Sequence, residues 1–287
     1  MASAKAILKA GKGWALVLPL TLFLVLFYLS PIVLMVITSL SPGGEGAGLS
    51  PSQYAKFFGD GFNLKVLWET VWLGIKTTLV CLLLGYPLAL LHSRTRPGTW
   101  RSILTFLIVL PLLTSAVVRT FAWIVILGRQ GVINSTLLSL SIIEEPIRLL
   151  STHHGVVAAL SQIQMPLMIL PLIASMARLD PNLESASASL GGASWRTFWR
   201  ITFPLTLPGI ISGSLLVFSA SVSSFITPSV IGGGRIMFMP MYIYQQAISL
   251  FDFPFAATIS TVLLVTVLLV VVLLSSLGRL TRSYTHT

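Results

Sequence analysis

Six long apolar runs, at about residues 14–40, 67–91, 103–127, 155–176, 207–226 and 255–277, limit what this chain can fold into more than any other feature. A helix rises about 1.5 Å per residue, so each run is long enough to cross a hydrocarbon core of about 30 Å. Inside such a core every backbone N–H and C=O must find an internal partner, which leaves helices and closed barrels. Barrel strands would alternate apolar and polar residues in short segments, and these runs do not. Composition agrees: 55% of the 287 residues are hydrophobic and only 9% are charged, whereas soluble domains carry roughly 25% charged residues. The predicted fold is all-α, a polytopic membrane protein with six transmembrane helices.

Charge placement orients the spans. Lys5, Lys9 and Lys12 precede the first run and imitate a signal peptide, but that run is about twice the length of a signal's apolar core, so it reads as a span with a cytoplasmic N-terminus. Six spans return the C-terminus to the same side. The segments then assigned to the cytoplasm hold eleven Lys and Arg against two acids, Asp180 and Glu184, while the remaining segments hold seven against six. That asymmetry follows the positive-inside rule, and it accounts for the net charge of +10 without a nucleic-acid partner. The single cysteine, Cys81, excludes an intramolecular disulfide framework. No metal site is expected, since adjacent His153 and His154 do not share a helix face.

Between the fourth and fifth runs lies a polar, small-residue stretch, residues 180–204. Asp180 can cap a first short helix, with Pro181 at its first position and Glu184 in its first turn. Gly191-Gly192 supplies a left-handed stop. Ser194 can cap a second helix that carries Trp195, Phe198 and Trp199 on one face and Arg196 and Arg200 on another, and Pro204 ends it. Such a segment lies along a membrane surface rather than across it, or is an ordinary loop between spans.

Other candidate positions have two readings each. Arg119 falls about sixteen residues into the third run, near the outer boundary, where it either snorkels or faces a cavity. Gln162 and Gln164 offer amides beside Pro166, which with Pro171 is expected to break the fourth run. Residues 128–154 are expected to leave the core while holding a partly inserted helix over 132–142, and residues 227–252 to form an external loop. In the fifth run Ser212, Ser219 and Ser223 share a face that Gly209 and Gly213 extend, and this face either packs against a helix or lines a wet path. Outside the spans, Glu69, Glu144, Glu145 and Asp252 could favour a cation at the outer mouth or meet another protein. No acid occupies a span centre, which argues against a carboxylate-relay carrier. No G-x4-G-K-[ST] loop is present, so the chain does not hydrolyse ATP alone and is not expected to be an enzyme.

The order of residues 184–204 resembles the E-A-A-x3-G-x9-I-x-L-P signature of permease subunits of type I binding-protein-dependent ABC importers. Ala186, Gly191, Ile201 and Pro204 fall on the signature. Ser185 stands at its glutamate with Glu184 one residue early, Ser187 at its second alanine and Phe203 at its leucine. Leu84-Gly-Tyr-Pro-Leu-Ala89, Ile108-Val-Leu-Pro111, Gln130-Gly-Val-Ile-Asn134 and Glu145-Pro-Ile-Arg-Leu149 resemble the B-type permeases of spermidine/putrescine importers. The resemblance implies a permease domain over 14–277 between cytoplasmic segments 1–13 and 278–287, with a cytoplasmic coupling helix inside 178–204. It implies a second related permease, two ATPase subunits and a periplasmic solute-binding protein in a bacterial inner membrane. No cofactor is expected on this chain, with ATP and Mg on the ATPase. Glu184, Ser185, Ala186, Gly191, Ile201 and Pro204 become the coupling residues, and Arg119, Gln162, Gln164, Ser219 and Ser223 the candidate path. Polyamine is the implied cargo, with aminophosphonate, thiamine or iron as alternatives. A stand-alone secondary transporter or channel, or a membrane anchor, are the rival classes.

Overall fold

The computed structural model describes residues 2–41, 48–180 and 182–282, with side chains described between Val17 and Ser276. Pro181, Glu45, Gly46 and the last five residues therefore lie outside it, as do the side chains of Lys5, Lys9, Lys12, Arg279 and Arg282. Among the described residues the structure is helical without strands. Six helical stretches are long and apolar enough to cross a membrane: Val17–Ser39, Gly61–Arg94, Ala116–Ser139, His153–Met176, Ser194–Val222 and Phe253–Ser276.

Two compact units divide the chain, Met1–Gly61 with Ile243–Val262, and Phe62–Tyr242 with Leu263–Thr287. In the first unit, helix α1 (Ala2–Ser39) is joined to α2 (Ser52–Gly59) by a hydrogen bond of 2.7 Å between the hydroxyls of Ser39 and Tyr54. Lys56 pairs with Asp252 at 3.2 Å and lies 4.0 Å from the Phe255 ring centroid. Asp252 is thus already held by a cation.

The second unit is built on α3 (Gly61–Arg94), α7 (His153–Met176) and α10 (Phe203–Val222). Their shared core contains Cys81, Ala89, Met168, Ile169, Leu172 and Val217. Lipid tails are as apolar as leucine, so close packing rather than water exclusion must hold these helices together. Small residues make that possible. A Cβ on Gly209 would lie 2.6 Å from Ser175 Cβ and 2.9 Å from the Pro171 carbonyl, and one on Gly213 would lie 2.7 Å from Met168 Sδ. The two glycines therefore pack on α7. Ser212 and Ser223 stay exposed and Ser219 half-buried, each lying beside that seam rather than in it.

Three expectations change. The third apolar run is not one helix: α4 (Thr99–Leu113) stops at Thr114-Ser115, where Ser115 is extended at φ −60° and ψ 134°, before α5 (Ala116–Leu127). The helix α6 (Val132–Ser139) follows, inside the stretch expected to hold a partly inserted helix. Pro166 and Pro171 do not break the fourth span, because α7 runs through both. Residues 227–252 are not a plain external loop: they hold α11 (Ile226–Gly232) and α12 (Met239–Tyr244), with Thr227, Ile231 and Met239 buried on these helices and Phe238 buried between them. The Thr120 and Thr227 hydroxyls meet at 3.0 Å, and Thr70 Oγ1 accepts from the Met239 amide at 2.8 Å.

Candidate functional site

The segment after α7 folds as its local chemistry dictates. Asp180 Oδ1 accepts from the Asn182 amide at 2.9 Å and opens α8 (Asn182–Ser189). Two bonds close it, Gly192 N–H to Ser187 O at 2.9 Å and Gly191 N–H to Ala188 O at 3.0 Å, with Gly191 at φ +76°. This is the 6→1 and 5→2 pattern of a Schellman stop, in which the left-handed residue is glycine because a Cβ is disfavoured there.

Beyond the turn the expectation of a separate second helix fails. Ala193, not Ser194, occupies the cap position of α9 (Ser194–Thr197), and its side chain makes no capping bond. The helix continues through a π-helical turn, Phe198–Thr202, straight into α10. Pro204 does not end it. Proline lacks an N–H for the carbonyl four residues back, and the wider π turn absorbs that mismatch while the chain stays helical.

α8 presents two faces. Ser185, Ala186, Ala188 and Ser189 are exposed and small, whereas Leu183 and Ser187 turn inward. Ser187 Oγ and Thr197 Oγ1 lie 2.7 Å apart and tie α8 to α9. Glu184 Oε1 accepts from Arg94 at 2.9 Å, at the end of α3, and from Thr202 Oγ1 at 3.5 Å. Its position one residue before the signature's acid turns it by about 100° around the helix, toward its own spans. Ile201 and Pro204 are half-buried on the inner side. Ile201, Thr202, Leu183, Glu184, Arg94 and Arg101 border a cleft of about 410 Å³. An aromatic group continues inward: Tyr86 packs 5.8 Å from Phe198 and 5.9 Å from Phe203, and its hydroxyl meets Thr206 at 3.0 Å. Contacts therefore run without a gap from α8 into α3 and α10. Trp195 and Trp199 are exposed neighbours of this group, with ring centroids 5.5 Å apart.

Sequence reasoning placed Gly192 in the stop but left it out of the coupling residues. A Cβ at Gly191 would meet nothing within 4 Å, but one at Gly192 would lie 2.5 Å from Ser187 Oγ. Paired glycines before a capped helix were the available signal.

Arg119 is deeper than counting along one helix implied. It donates to the Ile163 carbonyl at 3.4 Å, and Ile163 lies ten residues into the 24-residue α7, near its middle. The break at Thr114-Ser115 explains the difference. Its Nε is buried without a partner. Trp123 Nε1 donates to Gln162 Oε1 at 3.2 Å, so Arg119 and Gln162 share one region. Gln164 is half-buried, and no described hydrogen bond links it, Ser219 or Ser223 to that region. Ser223 Oγ instead bonds the Ser219 carbonyl in its own helix at 2.8 Å.

Of the acids expected at an outer mouth, three lie in this unit: Glu69 is 3.7 Å from His153 Nδ1, while Glu144 and Glu145 are exposed. Among the described residues no three His, Cys, Asp or Glu side chains gather as a metal set.

Residues 81–283 match the family described as binding-protein-dependent transport system inner membrane component. The spermidine/putrescine transport system permease protein PotB of Haemophilus influenzae is 31% identical over 242 residues, covering 83% of this chain and 84% of the relative. That of Escherichia coli is 32% identical over 245 residues, covering 84% and 88%. The molybdenum transport system permease protein ModB of Mycobacterium bovis is 34% identical over 208 residues, covering 70% and 75%. Among solved structures, a chain of a bacterial ABC transporter involved in import of the acidic polysaccharide alginate superposes with a TM-score of 0.76 at 15% identity, covering 97% of this chain and 99% of that one.

Proposed function

Since the chain belongs to the binding-protein-dependent transport system inner membrane components, and is a multi-pass permease subunit of such an importer, we propose that its cargo is a polyamine-like cation and that residues 180–204 couple its spans to an ATPase. The cargo reading rests on the two spermidine/putrescine relatives, each matched over more than four fifths of both chains. The ATP and Mg sit on the separate ATPase subunits, two of which join this chain and a second, related permease. A solute-binding protein delivers cargo from the opposite side.

The coupling reading rests on one observation: α8 has a small-residue exposed face and an inner face hydrogen-bonded into two spans. Small side chains let a partner's surface approach closely. Movement of α8 would pass through Arg94 and Glu184 to α3, and through Thr197, Phe198 and Tyr86 to α10. The path comprises Arg119 and Gln162 at mid-depth, with Gln164 nearby in α7 and the open Ser219–Ser223 edge of α10. A small anion is a second cargo class, favoured by the guanidinium of Arg119 against the middle of α7. Uptake of labelled spermidine by proteoliposomes, with and without excess of a small oxyanion, separates the two. Uptake of the labelled oxyanion by the same proteoliposomes, with none of spermidine, would reject the cation.

Coupling is tested at Gly191. A leucine there is disfavoured by about 1–2 kcal/mol at this φ and adds bulk to the exposed turn. Gly191→Leu should insert normally yet retain several-fold less ATPase on co-purification. Normal ATPase retention and normal transport would make the segment an ordinary loop.

Both termini and residues 178–204 are proposed to be cytoplasmic. Single cysteines at Ser194 and Ser139, in a Cys81→Ser background, should react with an impermeant reagent from opposite sides. Labelling of position 194 from outside intact cells would reverse the orientation.

A further inference from the structure

Away from the coupling segment, three arginines from separate parts of the chain border one cavity of about 420 Å³, with Ser151 beside them and Leu127, Leu149 and Leu150 as its apolar lining. They are Arg129, after the end of α5, Arg148, before the start of α7, and Arg235, after α11. All three are exposed. Among the described residues none makes an ion pair, and no acid borders the cavity. Exposed arginines are common, but these are held in place by buried chemistry.

Asn134 is fully buried and works as a clamp between the first two. Its Nδ2 donates to the carbonyls of Gly128 and Ile147, each at 3.0 Å, and its Oδ1 accepts from the Ile147 amide at 2.9 Å. Gly128 precedes Arg129 and Ile147 precedes Arg148, so one amide side chain fixes the backbone from which both arginines leave. The third is set by the Ser151 amide donating to the Ile231 carbonyl at 2.9 Å. After it comes a turn in which Gly233 and Gly234 have φ of 58° and 69°. A Cβ on Gly233 would lie 2.5 Å from Ser151 Oγ, so this turn sits directly on the 151 loop.

Gathering three guanidiniums around one cavity without an acid costs mutual repulsion. An arginine presents a planar fork of donors suited to carboxylates. The three lie on loops beyond the helix ends, at the His153 end of α7, opposite the Met176 end that carries the coupling segment. Under the importer reading, the solute-binding protein meets this end. We propose that Arg129, Arg148 and Arg235 form a preorganised receptor for carboxylate side chains of that binding protein. The inference rests on the importer reading, and it also explains how a cation passes a basic rim. Docked carboxylates neutralise the arginines as the cargo is released.

The test uses the whole transporter in nanodiscs of zwitterionic lipid, with its cognate solute-binding protein. Affinity is measured at low and high potassium chloride, beside complex yield and basal ATP hydrolysis. Each of Arg129→Gln, Arg148→Gln and Arg235→Gln should weaken docking by about tenfold, and the triple variant should lose most of its salt dependence. Yield and basal hydrolysis should hold. The triple Arg→Lys variant should regain part of the affinity and all of the salt slope, since charge returns without the fork. Wild-type affinity and salt slope in the triple glutamine variant would overturn the proposal while leaving the importer reading intact. Inorganic phosphate held by the wild type and lost in the triple variant, with docking unchanged, would assign the cavity to a free anion instead. Loss of the variants' effect in nanodiscs of anionic lipid alone would assign it to a headgroup. A wild-type complex that binds no solute-binding protein under any condition would reject the importer reading itself.

Discussion

Replacing Gly209 with leucine is expected to leave almost no assembled transporter. A first side-chain carbon there already lies 2.6 Å from Ser175 Cβ, 2.9 Å from the Pro171 carbonyl and 3.2 Å from Leu172 Cα. Two of these neighbours are backbone atoms of α7, which cannot rotate away, so α10 must separate from α7 or tilt. Overpacking a core costs about 1–3 kcal/mol even where side chains can yield. In a membrane no water-driven force pulls the helices back together. Gly209→Ala should lower the yield of monodisperse complex and its Tm, and Gly209→Leu should abolish the complex. Gly191→Ala, with open space around it, should assemble normally. A Gly209→Leu complex of ordinary yield and Tm would mean that α7 and α10 are not packed at this seam.

Arg119→Gln is expected to assemble and to import at least about tenfold more slowly, a difference of about 1.4 kcal/mol in the rate-limiting step. A charged arginine at mid-span costs about 3 kcal/mol or more to insert, and its one described bond, to the Ile163 carbonyl at 3.4 Å, is long. So poor a partner, with Nε buried and unpaired, points to a role that appears only when cargo or the second permease is in place. Glutamine keeps a donor for the carbonyl and removes the charge. If Arg119 served packing alone, the neutral variant would assemble as well or better and import at the ordinary rate. Measuring uptake and ATP hydrolysis together matters here. Hydrolysis that persists without uptake locates the defect in the path rather than in the ATPase contact.

Much of this protein is written locally. Apolar runs of twenty or more residues become membrane helices because the backbone has no other way to satisfy itself in lipid, and the family match and the helical spans agree with that reading. The stop at Gly191 was legible too, since a left-handed turn after a short helix selects glycine whatever surrounds it. Pro204 and Ser115 mark where local reading fails. Proline removes a donor at one position, but whether the helix ends or widens into a π turn depends on what packs around it. The extended Ser115 has no proline or glycine to announce it.

Longer range decides the sites. Nothing near Glu184 in the chain says that it meets Arg94, ninety residues earlier, rather than an external partner. Nor does anything near Arg129 foretell Arg235, since their shared cavity exists only once Asn134 has clamped two loops and Ser151 has bonded Ile231. The sequence by itself determined that the chain is a bundle of apolar helices and that it turns at Gly191, because those outcomes follow from the solvation and stereochemistry of neighbouring residues. Which charges became partners, and which were left to wait for one, only tertiary packing decided, because helices of similar apolarity acquire their neighbours from the shapes of the surfaces they bring together.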